Sequence, residues 1–70
     1  MKERIMNKIY DLRTRAGVTQ EALAEKVGVS RQTVIAMERG NYTPSVALAL
    51  RLADFFKVPV DKIFTISYEK

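Results

Sequence analysis

The apolar positions of this 70-residue chain recur at helical spacing in short blocks, most of them closed by a glycine or a proline. Ile5, Ile9, Leu12 and Ala16 make a first stripe that ends at Gly17. Thr19 is placed to N-cap a second helix, with Leu23, Ala24 and Val27 at i, i+1 and i+4 before Gly28 breaks it. Val29 returns to the core. Ser30 then caps a third helix running to about Arg39, which hides Val34 and Met37 and stops at Gly40. Gly28 and Gly40 suit the left-handed position that follows a helix, where a Cβ is strained. Pro44–Ser45 opens a fourth helix and Val58–Pro59 closes it. A last helical turn around Val60–Ile63 sets Ile63 and Phe64 on the core.

The two ends and the fourth helix are less determined. Asn7 is a good N-cap that starts the first helix at Lys8; alternatively the stripe through Ile5 carries that helix back to about Lys2. Phe64, Ile66 and Tyr68 alternate with Thr65 and Ser67, a strand-like period. Two terminal segments of this kind pair into a small ribbon, the alternative being a frayed tail. In the fourth helix, Val46, Ala49, Leu50, Ala53 and Phe56 read as the core side. Leu48, Leu52 and Phe55 then lie opposite, with Arg51 among them. A helix apolar all round is buried on both sides, and a chain this short has no second layer. A second copy is therefore expected over Leu48, Leu52 and Phe55, extended by Ile66 and Tyr68; scattered surface hydrophobics are the blander alternative.

Composition narrows the chemistry. With no cysteine and no histidine, disulfides, Cys/His zinc sites and histidine-based catalytic triads are excluded. A phosphate-binding glycine loop and paired carboxylates are also missing, so an enzyme is not expected and no cofactor, metal or small-molecule ligand is implied. The longest apolar run, Val46 to Leu50, is far too short to span a bilayer, and no signal peptide is evident. A cytoplasmic protein without a membrane partner is expected. Lys and Arg outnumber Asp and Glu by 12 to 8, a formal charge of +4. That favours a polyanionic partner only weakly, since many small proteins carry such a charge for solubility.

The spacing adds a resemblance. Ile9, Leu12 and Arg13, then VTQ at Val18 to Gln20, LAEKVGVSRQTV from Leu23 to Val34, MERGNYTPS from Met37 to Ser45, and the close from Val58 to Phe64 together resemble the Xre/Cro-type helix-turn-helix family of the lambdoid phage repressors. The resemblance covers roughly residues 7 to 64 and is nearest to short stand-alone regulators such as the cytolysin-operon repressor. It implies one domain over residues 1–70: an all-α, five-helix, lambda-repressor-like fold with a small two-stranded β-ribbon built from segments 1–6 and 65–70.

It also implies roles for single residues. Arg31 and Gln32, which open the third helix, match positions that point into the major groove of DNA. Chemistry agrees, because Arg bridges guanine O6 and N7 and Gln bridges adenine N6 and N7. At 100° per residue, Val34, Met37 and Glu38 inward place Ile35, Ala36 and Arg39 outward beside Gln32. An exposed Ile35 is unremarkable by itself, and on a DNA-facing surface it is placed to meet a thymine methyl, with Ala36 adding contact without hydrogen-bonded readout. Gln20 matches a position that bridges a phosphate and the recognition helix, and helix N-termini also offer N–H groups to phosphate. Ser30, Thr33, Arg39, Asn41 and Tyr42 are further phosphate candidates; for Tyr42, packing against the fourth helix is the competing reading. Glu38 faces away from phosphate, and the resemblance pairs it with Arg13. The expected protein is a homodimeric, sequence-specific regulator of transcription, a repressor that reads a palindromic operator in double-stranded DNA with half-sites about one helical turn (~34 Å) apart. The alternative is the antitoxin of a toxin–antitoxin pair, with a Leu48/Phe55 patch for its protein partner.

Overall fold

Side-chain caps decide where three of the helices begin. In the computed structural model, which describes residues 2–69, the Thr19 hydroxyl accepts the Ala22 N–H at 3.0 Å and starts helix α2, Gln20–Val27. Ser30 does the same for α3, Arg31–Glu38, through the Thr33 N–H at 3.2 Å. Ser45 caps α4, Val46–Phe56, through the Leu48 N–H at 3.1 Å. Each cap satisfies one of the N–H groups that the first turn leaves without a partner. The expected stop at Gly40 closes α3 with paired hydrogen bonds, Gly40 N–H to the Met37 carbonyl at 3.0 Å and Asn41 N–H to the Ala36 carbonyl at 2.9 Å. Gly40 sits at φ +79°, where the absence of a Cβ removes the strain. Helix α4 instead ends on Lys57 at φ 58°, a conformation that costs a residue with a Cβ about 1 kcal/mol. Pro59 then blocks continuation.

The first helix, α1, spans Ile9–Arg15 and does not run back to Lys2. Asn7 acts one residue earlier than a standard cap: its Oδ1 accepts the Ile9 N–H at 3.1 Å. Upstream the chain is extended as β1, Lys2–Asn7, and pairs antiparallel with β2, Phe64–Glu69, with Ile5 opposite Ile66 and Asn7 opposite Phe64. The expected ribbon is therefore present, shifted by about a residue from 1–6 and 65–70; Met1 and Lys70 lie outside the described residues. The last helical turn expected around Val60–Ile63 is present as a single 3-10 turn at Val60–Lys62, in place of the fifth helix that the resemblance implied. Four α-helices, that turn and a two-stranded sheet make the fold of the described residues.

Ile9, Leu23, Ala24, Val27, Val34, Met37, Leu48, Leu52 and Ile63 form the buried core, with Phe55, Phe56 and Phe64 packed against it. The core side of α4 is rotated from the expected one: Ala53 and Phe56 pack against the core as expected, but Leu48, Leu52 and Phe55 join them from the side expected to face outward. Leu48 and Leu52 are 2 % and 0 % exposed, whereas Val46 and Leu50 stand 77 % and 57 % exposed. On a helical wheel Asp54 lies about 40° from Leu50 and about 160° from Leu52, so the charged residue marks the outer side. Arg51 adds a tie from the same helix, its Nε donating to the Val27 carbonyl at the end of α2 at 2.9 Å.

Candidate nucleic-acid interface

Helix α3 is fastened at its C-terminal end. Arg13 on α1 grips Glu38 on α3 with Nε to Oε2 at 2.6 Å and Nη2 to Oε1 at 3.3 Å. Its remaining amino group, Nη1, donates to the Val18 carbonyl at 2.9 Å, and Gln20 Nε2 donates to Glu38 Oε1 at 3.0 Å. The carboxylate of Glu38 is thus engaged by donors from two helices. That hydrogen-bonded carboxylate raises the Arg13 pKa above its ordinary value, outweighing the opposing effect of burial. The Arg13 guanidinium also lies over the Tyr10 ring, 5.4 Å from its centroid. The Arg13–Glu38 pair implied by the resemblance is therefore present, and Gln20 reaches α3 through the same carboxylate.

What this network holds in place is an outward face. Arg31, Gln32 and Arg39 are exposed, while Ile35, Ala36 and Thr33 are half-buried. Arg31, Ile35 and Arg39 line one open cleft together with Gln20, Glu38 and Tyr10. Arg31 and Gln20 border a second with Arg13, Thr19 and Glu21. Asn41 and Tyr42 are exposed on the loop that leaves α3; Tyr42 keeps 45 % of its surface. The Ser30 hydroxyl is engaged in capping and in a 3.1 Å hydrogen bond with the Thr33 hydroxyl. Planar and amide donors on a narrow helix, flanked by hydroxyls and a helix N-terminus, match the chemistry of base edges bordered by phosphates.

The residues assigned to a subunit interface do not form one surface. Leu48 and Leu52 belong to the protomer's own core and are withdrawn from any interface, since a fully buried side chain has no face left for a partner. Phe55 packs half-buried against the same core, edge-on to Phe56 at 5.1 Å. Of the Leu48/Phe55 patch offered to a toxin, Leu48 is accordingly not at the surface, while Phe55 keeps part of its surface beside Leu50 and Asp54. Ile66 and Tyr68 are exposed, at 52 % and 59 %. They continue the ribbon side that carries Ile5 and Phe64, and those two residues border an apolar groove with Val46, Ala49 and Val60.

Three roles have no counterpart in the reading of the sequence. Tyr10 walls the cleft beside Arg31, Arg51 ties α4 to α2, and Asn7 joins the ribbon to α3 by donating Nδ2 to the Met37 carbonyl at 2.7 Å. Asn7 alone carried a local signal, as a cap; its partner lies thirty residues on in the sequence.

Comparison with known proteins agrees with this geometry. A family model described as helix-turn-helix matches residues 9–63. The chain is 46 % identical over 63 residues to the uncharacterized HTH-type transcriptional regulator YgzD of Bacillus subtilis, covering 90 % of this chain and 96 % of that one. It is 35 % identical over 57 residues to the cryptic phage CTXphi transcriptional repressor RstR of Vibrio cholerae, covering 81 % of this chain and 51 % of the repressor. Among solved structures, the restriction-modification controller protein C.AhdI of Aeromonas hydrophila superposes with a TM-score of 0.71 at 33 % identity, over 77 % of this chain and 82 % of that one. The matched segment of this chain contains the capped α2–turn–α3 unit, its Arg13–Glu38 brace and its exposed Arg31 face, and the chain belongs to the Xre-like helix-turn-helix family of DNA-binding transcriptional regulators.

Proposed function

We propose that the chain is a homodimeric transcriptional repressor that inserts α3 into the major groove of each half of a palindromic operator. The observation that carries this reading is the polarity of α3. Its one carboxylate, Glu38, is turned inward and neutralised by Arg13, while Arg31, Gln32 and Arg39 remain exposed on the outside. Arg31 and Gln32 then read base edges, with Ile35 and Ala36 in apolar contact. Gln20, Ser30, Thr33, Arg39, Asn41 and Tyr42 fix the register on the phosphates.

Dimerisation draws on Val46 and Leu50, which stand out from the protomer, and on Ile66 and Tyr68 of the ribbon. One recognition helix grips too few base pairs to single out a genomic site, so two are held together by this apolar surface. The repressor role is supported by the likeness to a phage repressor: a dimer on a promoter excludes other proteins from it. The test is selection from a pool of randomised duplexes by the purified chain, followed by footprinting on the DNA upstream of its own reading frame. A two-fold symmetric sequence with half-sites about 34 Å apart is expected. Recovery of no common sequence overturns the reading.

A further inference from the structure

Asn7 occupies a junction where three elements meet. Its backbone ends β1 opposite Phe64, and the next residue, Lys8, donates its N–H to the Ile63 carbonyl at 2.9 Å. From this pinned position its side chain works in two directions. Oδ1 accepts the Ile9 N–H at 3.1 Å and Nδ2 donates to the Met37 carbonyl at 2.7 Å. That carbonyl already receives the Gly40 N–H at 3.0 Å, so Asn7 takes its second lone pair in the turn that ends α3 and launches the exposed Asn41–Tyr42 loop. The amide is short, has no long stem to flex, and is fixed at both its oxygen and its nitrogen.

We infer that Asn7 is a positioning residue for DNA binding: it clamps the C-terminal turn of the recognition helix to the ribbon, and so sets Arg39, Asn41 and Tyr42 at the height of the phosphates. This rests on the phosphate roles given above to those three residues. Arg31 and Gln32 sit at the opposite end of α3, more than a helical turn away, and are held by Ser30 and the helix itself. Without the clamp the grip on phosphate weakens, and base preference is untouched.

Two substitutions separate the clamp from the cap. Asn7→Asp and Asn7→Ser both keep an oxygen on the side of the Ile9 N–H, and neither brings a donor to the Met37 carbonyl: the carboxylate has none, and the serine hydroxyl stops one bond short of the Nδ2 position. Asp adds a charge near the phosphates; Ser does not. Each variant is titrated, as the full chain, against the duplex that the wild type selects from a randomised pool, at several salt concentrations and beside a thermal melt. With both variants folded at the assay temperature, binding about 10-fold weaker is expected. The log–log salt slope should be shallower by about 2, because one phosphate in each half-site is no longer neutralised, with the ranking of bases unchanged. Asn7→Ser with wild-type affinity and slope overturns the inference, even if Asn7→Asp binds weakly, since the weakening is then charge repulsion. Weakening in proportion to the unfolded fraction, with the slope unchanged, also overturns it and leaves Asn7 a cap. A wild type that selects no sequence removes the DNA-binding reading itself, a failure distinct from a tight wild type matched by its Asn7 variants.

Discussion

Arg13 and Glu38 meet across the gap between α1 and the end of α3 at 2.6 Å, with only 11 % and 7 % of their side chains in contact with water. A pair so far out of solvent stabilises little against an apolar replacement, yet losing one member strands the other charge. Arg13→Ala is expected to lower stability by about 3 kcal/mol, the low end for buried pairs because the site is not fully closed. Arg13→Met combined with Glu38→Leu should recover most of that loss. Urea denaturation measures both. A loss under about 1 kcal/mol for the single variant would place the pair among ordinary surface ion pairs. The raised Arg13 pKa means that the stability it contributes is fully present below the ordinary arginine value and is lost only as pH rises through the folded-state one. Acid or base between about pH 6 and 9 should leave this arginine's contribution unchanged.

Removing the exposed guanidinium of Arg31 tests readout rather than folding. Arg31→Ala should weaken binding by ~1–3 kcal/mol per half-site and relax the preference at one base pair, with the melting temperature unchanged. Titration against duplexes carrying each base at every half-site position distinguishes the roles. Uniform weakening across all of them would make Arg31 a phosphate ligand.

Electrostatics sets the salt dependence. Each neutralised phosphate releases condensed counterions and adds ~0.9 to the slope of log affinity against log salt, so about three to four phosphates per protomer give a dimer slope on the order of −6. A slope near zero between ~50 and ~200 mM salt would remove DNA as the partner.

The rotation of α4 separates the two leucines that flank Arg51. Leu50 is 57 % exposed and Leu52 is 0 % exposed. Leu50→Lys should leave a folded monomer that binds the full operator no better than a half-site. Leu52→Ala should instead destabilise the fold by ~2–5 kcal/mol through the cavity it leaves. Sedimentation of the first variant and denaturation of the second check the pair of outcomes. A wild type that sediments as a monomer at micromolar concentration would remove the dimer, and a Leu50→Lys chain that remains dimeric would move the interface elsewhere.

Local chemistry was legible in the residues alone. Thr19, Ser30 and Ser45 cap their own helices within three residues, and Gly28 and Gly40 end helices through their own backbone freedom, so no distant information is required. The inward faces of α2 and α3 followed from their apolar spacing, and with them the outward placement of Arg31, Gln32 and Arg39. The rotation of α4 did not follow. A helix with apolar residues on every side has two stripes of similar hydrophobicity, and only the fit of Leu48 and Leu52 into the space left by α2 and the 3-10 turn chose between them. The ribbon lay between these cases: alternation at Phe64, Ile66 and Tyr68 announced a strand, but its partner and register depended on the ends of the chain being brought together. Asn7 shows the limit most sharply. Its capping tendency is a property of the residue, whereas its bond to the Met37 carbonyl exists only because packing closes thirty residues of chain onto it.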